Sequence, residues 1–192
     1  MPTPLKKLGE IADIRSGYTL REAITPVPGG DVRILQIKDI ELDWQWDPYV
    51  LPAVSWEQNA LPPLLEHGQI VVAARGNRNT AAVYRGDIPV VATNQFLVIT
   101  LKKKESEFVP EYLGWALNQP MIQLQFQRSG SNIQLITKAA LMQVSIPVPT
   151  IETQHQIGQL QRIWHHEDDL IKKLQDNRRQ LEVGILQKLL KD

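Results

Sequence analysis

The sequence predicts an α+β fold, a mixed-sheet domain followed by one long C-terminal coiled-coil helix. Three observations carry that expectation. Short runs rich in β-branched and aromatic residues recur between residues 32 and 101, the signature of strands with at least one buried face. Helical patterns are few and intermix with the strands only late, so the chain does not alternate strand and helix as a parallel α/β sheet does. From Glu152 to Lys191 no proline occurs, and apolar side chains recur at steps of three and four.

The elements follow in order. Lys6 to Arg15 reads as one short element leading into a turn at Ser16-Gly17-Tyr18. Pro26 to Asp31 is a loop, with Gly29-Gly30 supplying turn geometry. Val32 to Ile40 is expected as a strand with a slip, because its apolar positions change phase between Ile34 and Leu35. Asp43 to Pro63 is rich in tryptophan and proline and irregular, with a brief helical turn near Ser55 to Asn59. Gln69 to Ala74 is a buried strand, Arg75 to Asn79 a polar loop, Ala81 to Tyr84 and Val90 to Ala92 short strands, and Phe96 to Leu101 the strongest strand. Lys102 to Glu105 is an exposed turn. Pro110 to Phe126 fits an amphipathic helix or helix pair interrupted before Pro120, Thr137 to Met142 a short helix, and Val144 to Val148 a strand. The hinge Pro147 to Pro149 then opens the terminal helix, whose ~40 residues would span roughly 60 Å.

That helix carries a seam of period 3.5: Ile157, Leu160, Trp164, Ile171, Leu174, Leu181 and Ile185, with Glu167, Arg178 and Lys188 at the remaining seam positions. Such a seam needs a partner helix to bury it, so these residues are the expected dimer interface. Glu167 and Arg178 either specify an antiparallel orientation or mark drift of the heptad.

Composition bounds the function. The 192 residues leave room for one domain of about 150 residues plus the helix. Without cysteine there is no disulfide, thiolate metal site or cysteine nucleophile. No stretch of ~18 apolar residues and no signal-like N-terminus occur, so a cytoplasmic protein with no membrane partner is expected. Net charge is zero but unevenly spread. Residues 1–74 carry ten acidic against six basic side chains, residues 75–151 eight basic against four acidic, and no Asp or Glu lies between Glu111 and Glu152. One region can therefore present a basic face on a neutral molecule.

Catalytic patterns are weak. Asp47-Pro48-Tyr49 lacks one proline of the loop that holds a target amine in adenine methyltransferases, and no glycine-rich turn follows a strand to hold a nucleoside cofactor. The acidic residues Asp39, Glu41 and Asp43 read as a solvated strand end, and His155, His165 and His166 lack metal-ligand spacing. No cofactor and no metal are expected. Binding patterns are better. Arg75-Gly76-Asn77-Arg78-Asn79, Gln127 to Asn132 with Lys138 beyond it, and Arg15-Ser16-Gly17-Tyr18 are polar glycine-containing loops. Arginine reads guanine, asparagine reads adenine, and arginine and backbone amides grip phosphate. The expected DNA contacts are Arg75, Asn77, Arg78, Arg128, Ser131 and Lys138.

Three segments resemble the specificity (S) subunit of type I restriction–modification systems. Leu8 to Gly17 (LGEIADIRSG) is similar to the family's opening, and Gly68 to Asn77 to its strand and glycine loop. The third runs from Tyr112-Leu113 through Gly130 and then from Ile146 to Ile157 (IPVPTIETQHQI), and is similar to the segment that leads into the family's helix. Thr150 and Thr153 stand where a proline and an acid are usual, and either can cap the helix. The resemblance implies a non-enzymatic subunit that binds double-stranded DNA and assembles with a methyltransferase (M) subunit and a restriction (R) subunit. Family members usually hold two recognition domains and two helices; here there is one of each, so a homodimer reading a bipartite, inverted-repeat site is expected. Residues 1–151 would form the target-recognition domain and 152–192 the dimerising helix. The competing expectation is a partner-docking scaffold whose degenerate domain no longer reads DNA.

Overall fold

A computed structural model describes residues 3–40, 46–57, 60–75, 79–102, 108–126, 128–129 and 135–190. Its elements run β1 (Leu5–Lys7), α1 (Leu8–Ile11), β2 (Ala12–Ser16), β3 (Val32–Leu35), β4 (Ala53–Val54), β5 (Ile70–Ala73), β6 (Ala81–Val83), β7 (Val90–Ala92) and β8 (Phe96–Leu101). Then come α2 (Pro110–Leu117), α3 (Pro120–Gln123), β9 (Arg128–Ser129), β10 (Leu135–Ile136), α4 (Lys138–Met142), β11 (Ser145–Pro147) and α5 (Ile151–Leu189). The α+β architecture with a long terminal helix is the one expected.

Four strands in the order β2-β8-β5-β6, all antiparallel, form the central sheet. Three more, β4-β3-β7, form a mixed sheet in which β3 runs parallel to β7. Successive side chains of a strand point to opposite faces, and both faces of the central sheet are covered. Ile70, Val72, Leu97 and Ile99 pack with Leu8, Leu113 and Leu141 on the helical side. Val71, Ala73, Phe96 and Val98 pack with Leu35, Val90 and Tyr84 on the other. That double burial is why Gln69 to Ala74 reads as an apolar run without alternation.

Three local expectations are corrected. Lys6 to Arg15 is three elements, because β1 pairs with β11 and β2 with β8 while α1 turns the chain between the two sheets. The strand expected to reach Ile40 stops at Leu35; Ile37–Ile40 is a 3-10 turn, closed by the Asp39 carboxylate accepting from the Gln36 amide at 2.8 Å. Residues 55–57 are not helical: Asp31 accepts from the Trp56 amide at 2.8 Å and holds that chain beside β4. Asn59 lies outside the described residues. The short helical turn falls instead at Pro48–Val50, capped by Asp47, whose carboxylate accepts from the Tyr49 amide at 2.8 Å.

The terminal helix starts at Ile151, with Thr150 as its cap accepting from the Thr153 amide at 3.3 Å. Its first turns are bolted to the domain. Gln154, Gly158 and Gln161, spaced along one helix face, are the buried residues of α5. The Gln154 amide oxygen accepts from the Val109 amide at 3.0 Å, and its amide nitrogen donates to the Pro149 carbonyl at 3.1 Å. Gly158 lets α5 approach α2 closely: a Cβ there would lie 3.1 Å from the Glu111 Cβ. Beyond Gln161 the helix runs out almost fully exposed.

Candidate nucleic-acid interface

One end of the central sheet gathers the described ends of polar segments that the sequence holds far apart. Strand β5 ends at Ala73, and the chain continues through Ala74 to Arg75, which is exposed. Arg75 forms a bridge with Leu135, and the Ile136 amide donates to the Ala74 carbonyl at 2.9 Å. Leu135 and Ile136 in turn pair with Ser129 and Arg128 in the β9–β10 hairpin. Arg75 and the described ends of the β9–β10 hairpin, Ser129 and Leu135, therefore lie next to one another at this end of the sheet. Lys138 is exposed on the first turn of α4, directly after the Thr137 cap, whose hydroxyl accepts from the Ala140 amide at 3.1 Å. Of the six expected DNA contacts, Arg75 and Lys138 thus lie at the same end of the sheet, with the backbone of Arg128 across β10 from Arg75. Asn77, Arg78, Ser131 and the side chain of Arg128 lie outside the described residues.

The loop after Arg75 is anchored at its far end. Asn79 is buried, and its side-chain amide donates to the Ala73 carbonyl at 2.9 Å. Gln123 of α3 donates to the Asn79 carbonyl at 2.9 Å. Two strand ends and a helix thus fix where the loop begins and finishes.

The third loop behaves differently. The Arg15 guanidinium turns back to donate to the carbonyls of Pro63 (3.4 Å) and Leu64 (3.2 Å). Burial pulls its pKa below the ordinary arginine value, against an opposing pull from Glu66. Arg15 is a brace. The loop's glycine does more for the rim, because a Cβ on Gly17 would lie 2.0 Å from the Thr93 carbonyl oxygen. With no side chain there, the Gly17 amide donates to Phe96 and the Tyr18 amide to Ala92, while the Asn94 amide donates back to Tyr18. The neighbouring turn, Thr93 to Phe96, is tied on its other side by the Ala74 amide donating to the Gln95 carbonyl at 2.8 Å. Sequence reasoning passed over this turn. Its signal was a polar run, Thr93-Asn94-Gln95, between two apolar strands.

The weak catalytic patterns are occupied by structural work. Asp39 and Asp47 each cap a 3-10 turn, as described. Tyr49 donates its hydroxyl to Asp87 at 3.0 Å, which raises the tyrosine pKa. It lines a cleft of about 760 Å³ with Trp46, His67 and Arg85, at the opposite end of β5 from Arg75. Glu41 and Asp43 lie outside the described residues. Among the described residues no cluster of three or more His, Asp or Glu is placed to hold a metal ion. His155 and His166 are exposed on α5.

The helix seam divides in two. Ile157 packs partly against the domain's own core. Leu160, Trp164, Ile171, Leu174, Leu181 and Ile185 are 45–67% exposed. Around Gly184 the stripe is dented by a groove of about 550 Å³ lined by Asn177, Gln180, Leu181, Ile185 and Lys188. No described helix is long and apolar enough to cross a membrane.

Residues 4–177 match the model of a family described as the type I restriction modification DNA specificity domain. Among solved structures, the chain is similar to the HsdS subunit from Thermoanaerobacter tengcongensis, with a TM-score of 0.63 at 18% identity, covering 90% of this chain and 39% of that one. It is also similar to the type I restriction–modification S subunit from M. genitalium, with a TM-score of 0.60 at 17% identity, covering 92% and 42%. A chain from a structure of type I R-M complex assembly and conformational transition gives a TM-score of 0.65 at 18% identity, covering 91% and 41%. The present chain therefore spans about two-fifths of the length of these structures. None of the curated proteins matches it.

Proposed function

This chain belongs to the family of type I restriction modification DNA specificity domains, and we propose that it is a non-enzymatic subunit that reads a DNA sequence on behalf of methyltransferase and restriction partners. Residues 1–151 are the target-recognition domain and 152–192 the dimerising, partner-docking helix; the protein acts in the cytoplasm, where its DNA lies. The observation that carries DNA reading is the rim. The bridge from Arg75 to Leu135 brings the exposed Arg75 and Lys138 to one end of the sheet, which supports a basic surface there on a neutral chain. Phosphate contacts from such a surface position a duplex, and its loop side chains reach base edges.

The seam supports pairing of two copies. Set antiparallel about a two-fold axis between Lys172 and Lys173, the heptad pairs Ile171 with Leu174, Trp164 with Leu181, and Leu160 with Ile185. The same register places Glu167 opposite Arg178. Ile157, already half covered, meets Lys188, so the apolar layers stop where the domain begins. Two identical readers at opposite ends of the pair would recognise an inverted repeat.

Titration of fluorescent duplexes from a randomised pool tests the reading. Affinity that falls steeply with salt and differs between sequences is the expected result. Equal, weak binding to every sequence would leave only a docking scaffold.

A further inference from the structure

We infer that Asn94 reads an adenine base in the major groove, with Thr19 as the residue that positions its amide; this rests on the DNA-reading function proposed above. Asn94 is exposed at the tip of the Thr93 to Phe96 turn, between the end of β2 and the end of β5. It lies on the same rim as Arg75, since the two residues flank the Ala74–Gln95 hydrogen bond. The other side chains of the turn are committed inward. Thr93 is buried, and the Gln95 amide oxygen accepts from the Ile37 amide at 3.1 Å. Of the three, Asn94 is the exposed one and Gln95 is half-buried.

The turn beneath it is rigid for backbone reasons. Tyr18, Leu35 and Ala74 each hydrogen-bond to its main chain, and Gly17 lets β2 approach closely enough for this. The Asn94 side chain is oriented as well: its amide nitrogen donates one hydrogen to the Thr19 hydroxyl at 3.2 Å. The second N–H and the carbonyl oxygen have no partner among the described residues and stay available to a ligand. An asparagine reads adenine with that pair, accepting from the N6 amino group and donating to N7. Neither a phosphate nor a guanine edge can use both groups, because each offers acceptors only where the amide oxygen needs a donor. A rotamer held in advance by Thr19 also lowers the entropy cost of the contact.

The test is selection of preferred duplexes from a randomised pool by the full chain, compared across variants. Wild type is expected to prefer A·T at one position of each half-site by roughly 5- to 150-fold, the range for a bidentate pair. Asn94→Ala should lose that preference while keeping the others. Asn94→Asp, which offers acceptors only, should move the preference toward cytosine. Thr19→Ser should keep the adenine preference and Thr19→Val should weaken it. Replacing that adenine by 7-deazaadenine should weaken wild-type binding and leave Asn94→Ala unchanged. An Asn94→Ala profile identical to wild type at every position would overturn the inference while leaving DNA reading intact. A wild type with no base preference at all would overturn both.

Discussion

The Tyr112 hydroxyl donates to the Pro147 carbonyl at 2.8 Å from inside the core, and burial pushes its pKa up to about 12. The protonated, neutral phenol is the form that the fold holds. In the unfolded chain the same group ionises near its ordinary value of 10. The stability it contributes is therefore complete below pH 10 and is lost as pH rises from 10 through about 12. Tyr84 is raised too, chiefly by burial, and adds to the same loss. Urea titrations between pH 8 and 12 should show stability falling across that window (~pH 10 to 12). The fall should be shallower for Tyr112→Phe, which at neutral pH should cost about 1 kcal/mol for the lost hydrogen bond. The two rim arginines separate in the same spirit. Arg75→Ala should weaken DNA binding by roughly 1–3 kcal/mol in an anisotropy titration without moving the melting temperature, because the side chain is exposed. Arg15→Ala should do the reverse, since its guanidinium holds the carbonyls of Pro63 and Leu64.

At the scale of elements, the junction between α2 and α5 decides how the rod is aimed. Gln154 is fully buried, and Val109 at the start of α2 gives its amide hydrogen to it. Gln154→Leu keeps the volume but strands that donor, which should cost roughly 1–3 kcal/mol. The melting temperature should fall by about 2–4 °C per kcal/mol for a chain of this length. An unchanged melting curve would mean that α5 is aimed by Gly158 and the apolar contacts alone. This junction also shows what the sequence could and could not reveal. Helix α5 was legible to within a residue or two of each end, because periodicity, the Pro-Val-Pro hinge and a threonine cap all agree. Strands β5 and β8 were legible because burial on both faces demands continuous β-branched runs. Gln154 was not, since a polar residue on a helix announces burial only through a partner 45 positions away. The rim was half legible for the same reason. The segments after Arg75 and around Arg128 advertise themselves by glycine and charge, but the approach of their described ends depends on a bridge from Arg75 to Leu135. Arg15 advertises itself equally and turns inward. Asn94 stayed hidden because a single polar turn residue looks like any other until its neighbours are placed.

For the whole molecule, the proposed two-fold pairing has a consequence that no single-chain contact shares: every substitution on the seam is felt twice. Leu174 lies beside the axis opposite Ile171, so Leu174→Glu would bring two carboxylates into adjacent central layers of the pair. Sedimentation should then report a monomer. The domain's own unfolding should be unaffected, because Leu174 is 66% exposed and touches nothing of the core. Charge exchange tests the register more sharply. Glu167→Arg would set that arginine against Arg178 at both ends of the seam, and Arg178→Glu would set two glutamates together. Each single variant should weaken the dimer by roughly 1–2 kcal/mol, on the order of tenfold in dissociation constant, given what partly exposed charge pairs are worth. The double variant E167R/R178E should recover most of that loss, and only the antiparallel register that joins these two positions predicts the recovery. Duplexes should follow suit. An inverted repeat spaced to suit two rims should be bound more tightly than one half-site by wild type and by the double variant, and equally weakly with the half-site by either single variant. A double variant no tighter than its parents would place the two copies in another register, and the spacing of the DNA half-sites would then be set by some other contact.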